Sequence, residues 1–142
     1  MPRSSATTPV SKVLDSWALL AWIRGEEAAP RVRDVLQRAD AGTVQLLLSW
    51  INAGETFYMI SRKDSRRAAD QFLVRLPSLP IRLVVPDEDS IVAAARLKST
   101  RRISYADGFA AALAQRENVA LMTGDPELKE MGDVLTIDWI GK

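Results

Sequence analysis

The chain has 142 residues, 47% of them hydrophobic and 26% charged, with a net charge of +1. That length suits one domain with its own core, and that balance fits neither a disordered chain nor a membrane protein. Cysteine and histidine are both absent, which removes disulfides, thiolate nucleophiles, zinc cages, the Ser-His-Asp triad and paired-imidazole catalysis.

Residues 1–9, polar and with two prolines, are expected to be a flexible tail, and 10–142 a single domain without internal repeats. The apolar run 10–14 predicts a strand ending at Asp15. Trp17, Leu20, Ala21 and Arg24 follow helical spacing up to Gly25. A second helix over 29–41 carries Val32, Val35, Leu36 and Ala39 on one face and is closed by Gly42. Residues 44–48 read as the second strand. From Trp50 to Arg62 the pattern is helical again, with Ile51, Gly54 and Tyr58 on one stripe and Trp50, Ala53 and Phe57 on its neighbour.

Asp64 or Ser65 can cap the next helix, which presents Ala68, Ala69, Phe72, Leu73 and Leu76 and stops at Pro77 and Pro80. A third strand is expected over 81–85, and Pro86 followed by Asp87, Glu88 and Asp89 opens a helix to about Ser99. An Ala-rich helix runs from Ser104 to about Arg116, a strand over 119–123, a short helix from Asp125-Pro126, and a last strand over 134–137. Strands alternating with helices predict an α/β fold with a mostly parallel sheet, whose ligands sit beyond the carboxyl ends of the strands. The longest uncharged run, between Asp40 and Glu55, is too short to span a bilayer, and no basic-then-apolar leader opens the chain. A cytoplasmic protein without membrane contact is expected.

Four acids stand at or near strand ends. Asp15 ends the first strand and Asp125 follows the fourth; each also fits a helix N-cap. Asp107 is in the first turn of the Ala-rich helix, where Ser104-Tyr105-Ala106-Asp107 fits a capping box. Glu55 falls inside the stripe of Ile51 and Tyr58, where a carboxylate is costly unless paired or bound to a cation. All four can point into one crevice above the sheet. Ionised together, they need a neutralising charge, because like charges raise each other's pKa. Without His or Cys, the fitting partner is a hard divalent ion, Mg2+ or Mn2+, which can lower the pKa of a bound water and stabilise a phosphodiester under attack.

Two basic runs, Arg62, Lys63, Arg66 and Arg67, then Arg96, Lys98, Arg101 and Arg102, stand against an acidic remainder. They read either as solvated helix faces or as contacts to a polyanion.

Val13-Leu14-Asp15-Ser16, the segment from Ser49 to Glu55, Ser104-Tyr105-Ala106-Asp107 and Thr123-Gly124-Asp125 occur in this order and together resemble the PIN-domain ribonucleases, in particular the small VapC-like toxins of toxin–antitoxin pairs. The resemblance runs from about Val10 to Trp139. It implies a three-layer α/β/α fold around a central parallel sheet and metal-dependent cleavage of RNA. By that resemblance Asp15, Glu55 and Asp107 are the core ligands of Mg2+ (or Mn2+), and Asp125 supports them or holds a second ion. Ser16 and Thr123 match hydroxyl positions that orient a carboxylate or a water.

Trp17 departs from the small polar residue common at its position, and helix-core packing is its expected role. In the expected reaction water attacks phosphorus in line and leaves a 3′-hydroxyl and a 5′-phosphate. Arg62, Lys63, Arg66 and Arg67 are candidate RNA contacts; Arg24 suits RNA or a partner's carboxylate. The resemblance also implies a cognate antitoxin and a homodimer, for which Trp22, Phe57, Tyr58 and Met59 are candidate anchors.

The competing reading is a non-catalytic PIN-like module that binds RNA or a partner and holds a structural ion. A phosphoacceptor receiver lacks its acid pair here, a glycosidase its sugar cleft, and a phosphate-binding loop its glycine cluster.

Overall fold

In the first strand, Val13 and Leu14 point to opposite sides, and this alternation builds two cores. The computed structural model describes residues 10–142; the expected tail at 1–9 lies outside the described residues. The elements are β1 (Val10–Leu14), α1 (Ser16–Ile23), α2 (Ala29–Asp40), β2 (Val44–Ser49), α3 (Trp50–Lys63) and α4 (Arg66–Arg75). Then come β3 (Arg82–Val84), α5 (Glu88–Thr100), α6 (Tyr105–Glu117), β4 (Ala120–Thr123), α7 (Pro126–Lys129) and β5 (Ile137–Trp139).

Five parallel strands form one sheet in the order β3-β2-β1-β4-β5. Leu14, Leu46, Leu48 and Met122 pack on one side of it, against α1 to α4. Val13, Leu47 and Leu121 pack on the other, against α6 and the segment containing Leu128 and Met131. Helix α5 lies over α6 through Ala94, Phe109 and Ala112. This is the expected α/β/α sandwich, and its sheet is parallel throughout. Among the described residues no helix is long and apolar enough to cross a membrane.

Ser65 caps α4, its hydroxyl accepting from Ala68 N at 3.0 Å, so the choice between Asp64 and Ser65 falls to Ser65. The last strand is displaced from its expected position: it covers Ile137–Trp139, not 134–137. Residues Glu130–Asp133 tighten into a single 3-10 turn, and exposed Val134 follows it outside the sheet. A short apolar run is only a weak guide to an edge strand.

Helix α6 is unusual in being buried from Asp107 to Ala114 without interruption. Small residues permit this, because α6 is pressed between the sheet and α5. A Cβ on Gly108 would lie 2.9 Å from the Ala94 carbonyl oxygen, so only glycine lets the two helices approach there. That approach fixes the first turn of α6, and with it Asp107.

The chain turns from β1 towards β2 and β3, then returns to place β4 on the other side of β1. The sheet's switch point therefore lies between β1 and β4, the usual place for a crevice in such folds.

Candidate metal centre

Asp15 and Asp125 follow the two strands that flank the switch point. Asp15 is fully buried. Its Oδ1 accepts from Ala18 N at 2.9 Å, capping α1, and its Oδ2 accepts from Thr123 Oγ1 at 2.5 Å. The same Thr123 oxygen accepts from Asp125 N at 3.0 Å, so one hydroxyl ties both acidic turns together. Asp125 in turn caps α7, accepting from Glu127 N at 3.0 Å. The capping role and the inward position thus coexist at both acids.

Ser104 Oγ accepts from Asp107 N at 3.0 Å, which is half of the expected capping box. The return bond to the Ser104 amide is not made among the described residues, and Asp107 Oδ2 is buried without a hydrogen-bond partner.

Ser16 Oγ donates to Glu55 Oε1, linking the start of α1 to α3. Glu55 does not lie in a buried stripe with Ile51 and Tyr58, contrary to the expectation from its spacing. Ile51 and Tyr58 are exposed, and α3 packs instead through Asn52, Ala53, Thr56 and Ile60. Glu55 is half-buried on the flank of that face, held by Ser16.

The four acids lie close enough to repel one another. Burial, with added repulsion from Asp125 and Glu55, pushes Asp15 up to about 7, against the lowering bonds from Thr123 and Ala18. Burial also dominates at Asp107, and repulsion from Asp125, Asp15 and Glu55 adds to it, raising this carboxyl to about 8.

Asp107, Asp125 and Glu127 each offer an oxygen such that all three lie within 4.8 Å of one another. Asp15 and Glu55 do not belong to that trio. Glu127, exposed in the first turn of α7, was not foreseen from the sequence. Its only linear signal is that it lies two residues beyond Asp125, and an acid at a helix start is ordinary. Asn52 was also missed. Its Nδ2 donates to the Ala106 carbonyl at 3.1 Å, joining α3 to the start of α6, while its Oδ1 is buried without a partner.

These residues fit a hard divalent ion. Every donor is oxygen, several carry charge, and the buried Asp107 Oδ2 has no hydrogen-bond partner among the described residues.

The basic runs divide. Arg101 makes a bidentate pair with Asp133, both contacts 2.7 Å, and Lys98 Nζ donates to the Ile103 carbonyl at 2.9 Å. That pair of cations is engaged in fixing the α5–α6 connection. Arg62, Lys63, Arg66 and Arg67 are exposed and make no ion pair among the described residues. Arg24 pairs with Asp64 at 3.6 Å. Of the candidate anchors, Trp22, Phe57 and Met59 pack against the core, and Tyr58 is exposed.

The family model for the PIN domain matches residues 12–134. The chain belongs to the PIN domain family. No curated protein matches it. Among solved structures, the PIN fold of this chain is similar to VapBC2 from Rickettsia felis bound to a promoter DNA fragment, with 17% identity, a TM-score of 0.69, and 91% of this chain and 98% of that chain covered. It is similar to the Mycobacterium tuberculosis toxin VapC20, which cleaves the sarcin–ricin loop, with 19% identity, a TM-score of 0.68, and 85% and 95% covered. It is also similar to FitAcB from Neisseria gonorrhoeae, with 20% identity, a TM-score of 0.66, and 89% and 96% covered. At these identities the likeness establishes the fold.

Proposed function

We propose that this PIN domain is a Mg2+- or Mn2+-dependent endoribonuclease and acts as the toxin of a toxin–antitoxin pair. The observation that carries the reading is Asp107 Oδ2, buried without a partner among acids that repel it. Such a group is stable as a carboxylate only beside a cation.

Asp15, Glu55, Asp107 and Asp125 would hold the ion, with Glu127 as a further oxygen donor. Bound there, the ion supplies Lewis-acid chemistry, lowering the pKa of a water and offsetting the charge of a phosphodiester. Thr123 holds Asp15 in one orientation and ties it to the Asp125 turn. Ser16 does the same for Glu55. With water as nucleophile, the P–O3′ bond breaks, leaving a 3′-hydroxyl and a 5′-phosphate, and the RNA 2′-hydroxyl takes no part.

Arg62, Lys63, Arg66 and Arg67 would contact phosphates, because all four are exposed and make no ion pair among the described residues, whereas Lys98 and Arg101 of the second run are engaged. A cognate antitoxin and a second copy of the chain are the expected protein partners, in the cytoplasm. Exposed Trp50, Ile51 and Tyr58 on α3, with Leu73 and Val74 on α4, offer apolar surface for such contacts.

One observation favours the non-catalytic reading: Asp15 and Asp125 both serve as helix caps, so an ion could be purely structural. Incubating the protein with RNA in Mg2+ or in chelator separates the two. Multiple turnover in Mg2+ that chelator abolishes supports the nuclease, whereas a protein that binds Mg2+ and cuts nothing supports the structural ion.

A further inference from the structure

A cavity of about 710 Å3 opens beside the acidic centre, on the side of β5. Its lining includes Trp17, Gly124, Pro126, Trp139 and Gly141, so Asp125 lies between two lining residues and Asp15 is two residues from a third. Trp17 and Trp139 are both half-buried, each presenting part of an indole to solvent.

Both indoles are seated on glycine. A Cβ on Gly124 would stand 2.3 Å from Trp17 Cη2, and one on Gly141 would stand 2.6 Å from Trp139 Cζ2 and 3.0 Å from Gly124 Cα. The two glycines therefore lie back to back, each with an indole laid directly over it. Any side chain there would displace the rings. Trp139 is fixed further by Nε1 donating to the Lys142 carbonyl at 3.3 Å, and Lys129 Nζ lies 5.0 Å from the ring centroid. The rim carries Arg31 and Lys142 against Glu26 and Glu27, and both cations are paired, Lys142 with Glu27 at 3.6 Å and Arg31 with Asp138 at 3.4 Å.

A cavity bordered by two half-buried indoles seated on glycine, next to the turn that carries Asp125, suits a flat ring. We infer that this cavity takes one unstacked nucleobase of the RNA, next to the phosphate held at the acidic centre. Trp17 and Trp139 supply the stacking surfaces, and Gly124 and Gly141 beneath them let the two indoles lie close against the turn that carries Asp125. Single-stranded RNA is bound in this way because every base has a face that can stack. The inference rests on the reading of the acidic centre as an RNA nuclease and adds how the strand is positioned there.

The test uses single-stranded RNA 8-mers of A, C or U and a ribose-phosphate 8-mer without bases, all in EDTA so that nothing is cut. Kd is measured by fluorescence anisotropy for the full chain and for Trp139→Ala and Trp139→Phe, each checked for an unchanged thermal transition. The wild-type protein is expected to bind at least one based strand on the order of ten-fold tighter than the abasic strand. Trp139→Ala removes most of that preference and Trp139→Phe restores it. If Trp139→Ala keeps the full preference, or the wild type does not distinguish based from abasic strands, the cavity is not a base site. Cleavage in Mg2+ is scored separately. Base-dependent binding without any cleavage overturns the nuclease reading alone, and cleavage with an unchanged KM in Trp139→Ala overturns the base site alone.

Discussion

Thr123 Oγ1 donates to Asp15 Oδ2 at 2.5 Å and accepts from Asp125 N at 3.0 Å, so a single hydroxyl spans the switch point between β1 and β4. It fixes the buried carboxylate of one strand end against the turn of the next. Thr123→Val keeps the shape and removes both bonds. The expected result is a 10- to 100-fold loss of Mn2+ affinity, roughly that seen when an orienting partner of a ligand is removed. Thr123→Ser should recover most of it, and equal affinity in the Val variant would mean that the hydroxyl is only structural.

The raised carboxyls set the pH dependence of the metal-free protein. Asp15 and Asp107 titrate near 7 and 8 in the fold and near 3.8 when unfolded. Between those values the folded chain binds more protons than the unfolded one. Their contribution is therefore complete below about pH 4 and is lost as the pH rises towards 8. Asp107→Asn removes one such group. In chelator it should gain stability over the wild type as the pH rises from 4 to 8, because the wild type loses the contribution of its raised Asp107 over that range, and at pH 4 the two should agree. Urea unfolding at both values checks this; a variant that is destabilised equally at each pH contradicts it.

Gly108 and Ala94 fix the crossing of α5 and α6, since a Cβ on Gly108 would meet the Ala94 carbonyl at 2.9 Å. Gly108→Ala should cost about 1–3 kcal/mol by overpacking, visible as a lower urea midpoint. Because the strain falls one residue from Asp107, Mn2+ affinity should fall as well. A stable variant with unaltered affinity would show that the crossing is looser than described.

Neutralising Arg62, Lys63, Arg66 and Arg67 together tests their assignment to RNA. If all four contact phosphates, the slope of log affinity against log salt should become shallower by up to about three for a single strand. An unaltered slope returns them to solvation.

Most of the fold was legible because its signals are local. Alternating Val13 and Leu14, the capping serines and the glycines and prolines after helices mark the elements down to a residue or two. β5 was displaced because Val134 and Leu135 imitate a strand while the true one, Ile137–Trp139, is a short, half-buried edge. At the site, Asp15, Asp107 and Asp125 stood out by their place after strands or before helices. Glu55 was singled out for a reason that fails, since the face of α3 carrying Ile51 and Tyr58 is exposed. Glu127 and Asn52 were invisible in the linear pattern. An exposed acid in a first turn is common, and an asparagine whose carbonyl finds no partner is recognisable only once α3 and α6 are packed together.

The cation site itself is the point on which the account turns. Calorimetric titration of the wild type with Mn2+ at pH 6.5, repeated in buffers of different ionisation enthalpy, reads both affinity and proton release. Binding with release of up to about two protons per chain is expected, because the acids must ionise to hold the ion, and Asp107→Asn should lose most of both. Mn2+ binding that releases no proton and is indifferent to Asp107→Asn would contradict the account.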